Sequence, residues 1–166
     1  MAFQIADLFE HAVDAVPTRD ALLCGDERRT FLELDGRANQ AAHLLAAHAV
    51  GAGDFVGLYA THSAAHVEVM LAAYKRSAVP VNISYRYQAP ELAYAVRDAG
   101  ATVIVHDADL SDRVDAAAAE LPTLTHRISL GGPAQAAVDF DAVIDDFDAG
   151  RDFAPRSPDD LSICST

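Results

Sequence analysis

The sequence holds a single lysine, Lys75, no tryptophan, two cysteines, and twelve basic side chains against twenty-five acidic ones. Each shortage removes a class of function. At a formal net charge of −13 the chain lacks the clustered Lys and Arg that neutralise phosphate backbones or anionic lipid, so nucleic acid and membrane surfaces are not its expected partners. Cys24 and Cys164 lie far apart with no CxxC spacing, which argues against a disulfide framework or a structural zinc site and fits a reducing cytoplasm. No apolar run of about 18 residues occurs, and Asp7, Glu10 and Asp14 interrupt the stretch a signal peptide would need, so no membrane-spanning segment is expected. Lys75 falls late on an expected helix and is expected to point to water, which makes it a poor phosphate-loop or Schiff-base lysine.

What remains is 51% hydrophobic, enough apolar material for one globular core. Residues 3–16 read as a helix with a polar stripe of Asp7, Glu10 and Asp14, ended by Pro17. Residues 21–24 and 28–31, joined by Gly25 and Asp26, read as a hairpin. Thr30 to Glu33 has the spacing of a capping box and opens a helix to about residue 48. From residue 54 the pattern alternates. Strands are expected near 54–60, 79–83, 102–106, 126–130 and 161–166, with helices near 63–76, 90–99, 109–120 and 140–147 between them. Phe55 to Ala60 and Thr102 to Val105 are apolar without alternation, as strands buried on both faces are, so the expected fold is α/β, a parallel sheet flanked by helices and preceded by a helix and a hairpin. Three stretches follow: 1–53 with the leading helices and hairpin, 54–147 with the β-α repeats, and 148–166, a surface connector holding Gly150, Pro155 and Pro158 that leads into a final strand.

Several constellations resolve to structural readings. Gly51 and Gly53, with Gly57, are spaced GxGxxxG and lead into a strand, whereas phosphate-cradling glycines sit between a strand and a helix, so a turn after a helix is expected here. His62 and His66 are four apart on a helix but have no third metal ligand at matching spacing, and His43 and His48 fall on different faces. Asp107, Asp109, Asp112 and Asp115 lack the glycine and closing glutamate of a calcium loop; Asp109 is expected to cap a helix. No GxSxG elbow surrounds Ser63, Ser84 or Thr166. A receiver-type phosphoacceptor is disfavoured by strand ends that offer Thr61, Asn82 and His106.

The run Leu71 to Tyr87, with Lys75, Pro80, Asn82, Tyr85, Arg86 and Tyr87, followed by Pro90 to Tyr94, resembles the "KAGAVPVNxNYRY…ELxY" motif of AMP-forming acyl-CoA synthetases. Arg29 to Asp35 is similar to that family's "TYxEL", and Gly51 to Val56 to its "GxxxGDxV". The three occur in the family's order and cover nearly the whole chain. Ser77 stands in place of the usual glycine and Ser84 in place of the usual asparagine. Asp159 to Thr166 resembles the lead-in to the family's phosphate loop, with Thr166 on its first threonine and Ser165 in place of a tyrosine.

The resemblance implies the N-terminal part of an ATP-dependent ligase that converts a carboxylic or fatty acid, ATP and CoA into acyl-CoA, AMP and pyrophosphate. It implies ATP, Mg²⁺ and CoA as cofactors and a small-molecule acid as partner of the full-length enzyme, with a homodimer left open. For residues 1–166 alone it implies neither a catalytic residue nor a bound cofactor, since the glycine-rich loop and its lysine are not among them, and hence no activity. Thr166 is the implied cofactor-binding position, and Tyr85 and Arg86 are implied to border a substrate or CoA path. The competing reading is a stand-alone scaffold or binding protein on the same fold.

Overall fold

A computed structural model describes residues 4–157, 159–160 and 164–165. Helix α1, Ile5–Ala15, opens on Gln4, whose side-chain oxygen accepts from the Ala6 amide while Asp7 accepts from the Gln4 amide. Strands β1, Asp20–Cys24, and β2, Glu27–Thr30, pair antiparallel through the Gly25 turn. Helix α2, Phe31–Ala47, starts on the expected capping box: Thr30 Oγ1 accepts from the Glu33 amide and the Glu33 carboxylate accepts from the Thr30 amide.

The β-α alternation follows as β3, Phe55–Tyr59; α3, Ala64–Lys75; β4, Val79–Asn82; α4, Ala89–Ala99; β5, Val103–Asp107; α5, Ser111–Ala118; β6, His126–Leu130; β7, Val138–Asp139; and α6, Phe140–Val143. A short strand β8, Cys164–Ser165, pairs with β4. The sheet is parallel throughout, in the order β7-β6-β5-β3-β4-β8. Connection by helices makes this arrangement possible, since parallel neighbours need a crossover of a dozen or more residues. On one face α2, α3 and α6 pack against Val56, Leu58, Val103 and Val105. On the other, α4 and α5 cover Tyr59, Val81 and Ile104. A smaller cluster joins Ala6 of α1 to Leu34, Ala38, Leu71 and Tyr74.

Several expectations change. The helix expected at 109–120 is a 3₁₀ turn over 108–110 followed by α5, and that expected at 140–147 is α6 followed by a 3₁₀ turn over 144–146. Asp109 lies inside the first 3₁₀ turn and caps nothing; Asp107 occupies the cap position, with its carboxylate drawn away to Thr61. Strand β7 was not expected: two residues are too short to carry a periodic signal. After α2 the left-handed residue is Ala49, φ +60°, rather than Gly51. Gly57 lies inside β3, where a Cβ would come within 3.2 Å of Ile83 Cδ1, so its small size serves sheet packing.

The turn from α3 into β4 puts Ser77 in a backbone conformation that favours glycine. Ser77 has φ +54°, its amide donates to the Tyr74 carbonyl at 3.0 Å, and its own carbonyl accepts from the Gly53 amide at 2.9 Å. A left-handed residue bearing a Cβ costs about 1–2 kcal/mol relative to one without. Ser77→Gly is therefore expected to stabilise the chain by about 1 kcal/mol in urea denaturation, with an unchanged m-value.

Candidate functional site

In an open parallel sheet ligands collect at the carboxyl ends of the strands, where strand order reverses. Here the reversal falls at β3, because β4 lies on one side of it and β5 on the other. A cleft of about 320 Å³ opens at that point, bordered by Thr61, Ser63, Glu68, Asp107, Arg29 and Arg37.

Its most buried charge is already paired. Glu68 of α3 is 1% exposed and accepts from Arg37 Nε at 3.2 Å, with Arg29 Nε at 3.7 Å. Each guanidinium also holds an outer carboxylate, Glu27 on Arg29 and Asp145 on Arg37. Burial pushes the Glu68 carboxyl above its ordinary range, and the two arginines oppose that rise. Asp107 accepts from both the amide and the hydroxyl of Thr61, at 2.8 and 2.7 Å. Glu27, Asp109 and Asp141 also line the cleft, so carboxylates outnumber guanidinium groups five to two. An anion such as a phosphate is repelled here.

The second region at this end of the sheet is the corner between β4 and α4. Tyr85 is 38% exposed, and the Arg86 guanidinium lies over its ring at 5.6 Å. The corner is gripped from below. Tyr59 at the end of β3 donates its hydroxyl to the Tyr87 carbonyl at 2.6 Å, and Arg113 of α5 donates to the Tyr85 carbonyl at 3.1 Å. The backbone of this corner is thus fixed while the side chains of Tyr85 and Arg86 stay outside. Beside it, Tyr87, Pro90, Glu91 and Tyr94 border a shallow, mainly apolar groove.

Strand β8 lies against the same edge: Val81 pairs with Cys164 and Asn82 with Ser165. The corner at Tyr85 begins three residues beyond the Asn82–Ser165 pair. Tyr85 and Arg86 are therefore brought together at the end of the sheet that β8 approaches. Thr166 lies outside the described residues.

Sequence reasoning missed Tyr59, Arg113 and Glu68. Tyr59 and Glu68 are polar groups on otherwise apolar elements, Arg113 is one of several charges on α5, and each has a partner 28 or 31 residues away along the chain. It also misplaced Lys75. The Lys75 side chain is fully buried, with Nζ 2.6 Å from a Glu10 carboxylate oxygen and 2.8 Å from one of Asp35. The physical reason is that α3 is apolar nearly all round and enclosed by α1, α2 and the sheet, so its last turn has no solvent side.

His62 and His66 stack at 5.5 Å, but among the described residues no group of three or more His, Cys, Asp or Glu could hold a metal. Burial lowers the pKa of His66, with His62 adding to the effect and Asp107 opposing it. Burial also lowers that of His106, opposed by its bond to the Asp107 backbone and by Asp115. His106 Nδ1 donates to the Asp107 carbonyl at 2.9 Å, which leaves Nε2 buried and unpartnered. Neutral imidazoles are favoured in the folded chain, so this contribution to stability is complete above the unfolded value of about 6.5 and is lost as pH falls below it. The melting temperature is expected to fall between about pH 7.5 and about pH 5.5, and His106→Gln is expected to shrink that fall. An equal fall in wild type and variant would contradict the assignment.

Comparison with known proteins sets this geometry in a family. The model of the AMP-binding enzyme family matches residues 9–164. A medium/long-chain-fatty-acid–CoA/3-oxocholest-4-en-26-oate–CoA ligase of Mycobacterium marinum is 38% identical over the whole chain, which covers 32% of that protein. A 3-oxocholest-4-en-26-oate–CoA ligase of Rhodococcus rhodochrous is 34% identical, again over the whole chain and 31% of the relative. The crystal structure of the anthranilate CoA ligase AuaEII with anthranoyl-AMP superposes with a TM-score of 0.91 at 26% identity, over 99% of this chain and 32% of that one. The chain spans about a third of the length of the curated relatives it matches. No helix among the described residues is long and apolar enough to cross a membrane. The match over residues 9–164 shows that the chain belongs to the AMP-binding enzyme family.

Proposed function

We propose that this segment serves an AMP-forming acyl-CoA synthetase of its relatives' length, acting in the cytoplasm. That enzyme joins a carboxylic acid to ATP, releasing pyrophosphate, and then passes the acyl group to the thiol of CoA. The observation that carries the reading is the pairing of β8 with β4, which brings Ser165 to the carboxyl end of the sheet near the Tyr85 corner. That is where a phosphate loop opening at Thr166 would be held, with backbone N–H groups available to phosphate oxygens. The acid-rich cleft at β3 and β5 suits no phosphate, which favours the β4–β8 edge over the usual crevice.

Residues 54–147 form the scaffold in this reading, residues 1–53 its buttress, and residues 148–166 the approach to the loop. Tyr85 and Arg86 border the path of the acid or of CoA. A planar guanidinium held over a phenol ring suits a phosphate or an aromatic base. The residues present do not fit a Mg²⁺ held by this segment alone, since no group of three or more His, Cys, Asp or Glu among the described residues could hold a metal. Medium- to long-chain fatty acids are the proposed substrates, following the relatives' names, with steroid carboxylates next.

ATP–pyrophosphate exchange tests the reading. A polypeptide of the relatives' length carrying this segment is expected to show exchange that depends on added fatty acid, and residues 1–166 alone are expected to show none. Arg86→Ala is expected to raise the KM for CoA or for the acid about tenfold, the value of one charge-assisted contact, with little change in melting temperature. Absence of exchange with a panel of carboxylic acids in the longer polypeptide would leave the scaffold reading in its place.

A further inference from the structure

The chain leaves the sheet at β7, on one edge, and re-enters at β8, on the opposite edge. Between them lie five strand spacings of about 4.8 Å, roughly 24 Å. The connecting stretch after the 3₁₀ turn at 144–146 is long enough to span that distance with slack. Its length therefore leaves the position of β8 undetermined. The pairing itself does little more, because among the described residues it consists of Val81 with Cys164 and Asn82 with Ser165. A slip of one residue would turn every side chain of β8 to the other face.

Something else fixes this stretch, and the structure shows a built dock for it. One face of α2 reads the connector's backbone: Asn39 Nδ2 donates to the Ala149 carbonyl at 2.7 Å, Gln40 Nε2 to Phe147 at 3.1 Å, and the His43 ring lies 3.2 Å from the Gly150 carbonyl. The connector's two arginines then enter a cluster of carboxylates. Arg151 Nε donates to Asp35 at 2.8 Å and its Nη1 to Asp14 at 2.9 Å. Arg156, 10% exposed at its side chain, pairs with Asp7 and Glu10. Lys75 sits at the centre, bonded to one oxygen of Asp35 while Arg151 takes the other, and to one oxygen of Glu10 while Arg156 takes the other. The rings of Phe9 and Phe153 close over its ammonium at 5.9 and 5.8 Å.

We propose that Lys75 is a positioning residue: through Asp35 and Glu10 it sets where Arg151 and Arg156 bind, and so fixes the register of β8 on β4. Three features support the assignment. The lysine belongs to the helix that leads into β4, so the anchor and the strand being registered are parts of one rigid run, α3 to β4. Every carboxylate oxygen it uses belongs to a residue that also holds a connector arginine, so the cluster cannot lose the lysine without loosening both grips. Salt bridges of buried groups add little net stability because desolvation offsets the attraction, yet breaking one by removing a partner is costly, and that difference between one arrangement and its neighbours is what selection of a register requires. The consequence for chemistry, though not the geometry, rests on the reading above that a phosphate loop follows β8.

Hydrogen–deuterium exchange on the full chain tests this, with Lys75→Met and with Arg151→Gln. Arg151 is about one-third exposed at its side chain, so its replacement leaves the fold intact should Lys75→Met fail to fold. Amides of residues 159–166 are expected to exchange about tenfold faster in each folded variant while those of β5 and β6 keep the wild-type rate. Unchanged exchange in residues 159–166, or an equal acceleration in β5 and β6, would overturn the proposal, since a lysine that only added stability would loosen the whole sheet together. In the pyrophosphate-exchange assay of a polypeptide of the relatives' length, Arg151→Gln is expected to raise the KM for ATP about fivefold at an unchanged KM for the acid. Equal rises for both would overturn the link to the phosphate loop. The amide measurement needs no nucleotide, so an inactive wild type would count against the ligase reading and leave the test of Lys75 decisive.

Discussion

Enclosing an ammonium group in a protein costs several kcal/mol unless carboxylates stand within hydrogen-bond reach, and the need for them constrains everything near it. Lys75 meets that need with Glu10 from α1 and Asp35 from α2, so three helices are placed relative to one another by one nitrogen. The carboxylates in turn have oxygens to spare, and the connector arginines take them. The apolar cluster of Ala6, Leu34, Ala38, Leu71 and Tyr74 surrounds this point, and Gln4 adds a bond from its side chain to the Tyr74 carbonyl. Removing the ammonium would leave four carboxylates around two guanidinium groups, an excess of negative charge in a partly dry site.

The same economy shapes the carboxyl end of the sheet. Asp107 could have capped the turn that follows β5 but instead holds Thr61 across the reversal of strand order, tying β3 to β5 beyond the last ladder bond. Glu68 is paired twice and Asp141 accepts from the Gly131 amide. The crevice that most sheets of this kind offer to a phosphate is thus lined with acids, four of which already hold a partner. What stays open is the other side of β3, where Tyr59 and Arg113 hold the backbone of residues 85–87 and leave Tyr85 and Arg86 outward.

Much of this fold was legible because buried parallel strands and amphipathic helices write their period into the sequence. Phe55 to Ala60 and Thr102 to Val105 announced themselves as apolar runs, and Thr30 with Glu33 announced a helix start. The failures at charged residues have one cause. A charged side chain says nothing about its surroundings until its partner is known, and the partners of Lys75 lie 65 and 40 residues away. One signal was available: α3 has almost no polar face, and a charge on a helix buried all round must be buried and paired. Applied to Ala64 through Lys75, that rule finds both Lys75 and Glu68, the centres of the two ion clusters.

Backbone conformation was the other blind spot, and it shows why departures from a family pattern carry information. Ser77 and Ala49 both take left-handed φ where glycine would rest without strain, and after α2 the sequence reading placed the turn at Gly51 and Gly53 instead. At Ser77 the conformation is held in place by three bonds around it: its amide to Tyr74, the next amide to Ala73, and its carbonyl to Gly53. Those bonds fix how α3 enters β4, and β4 is the strand on which β8 is laid. The strained residue and the buried lysine two positions before it therefore act on one joint. The lysine holds the helix end from one side and the turn holds the strand start from the other, so the direction of β4 does not depend on the short ladder that β8 can form with it.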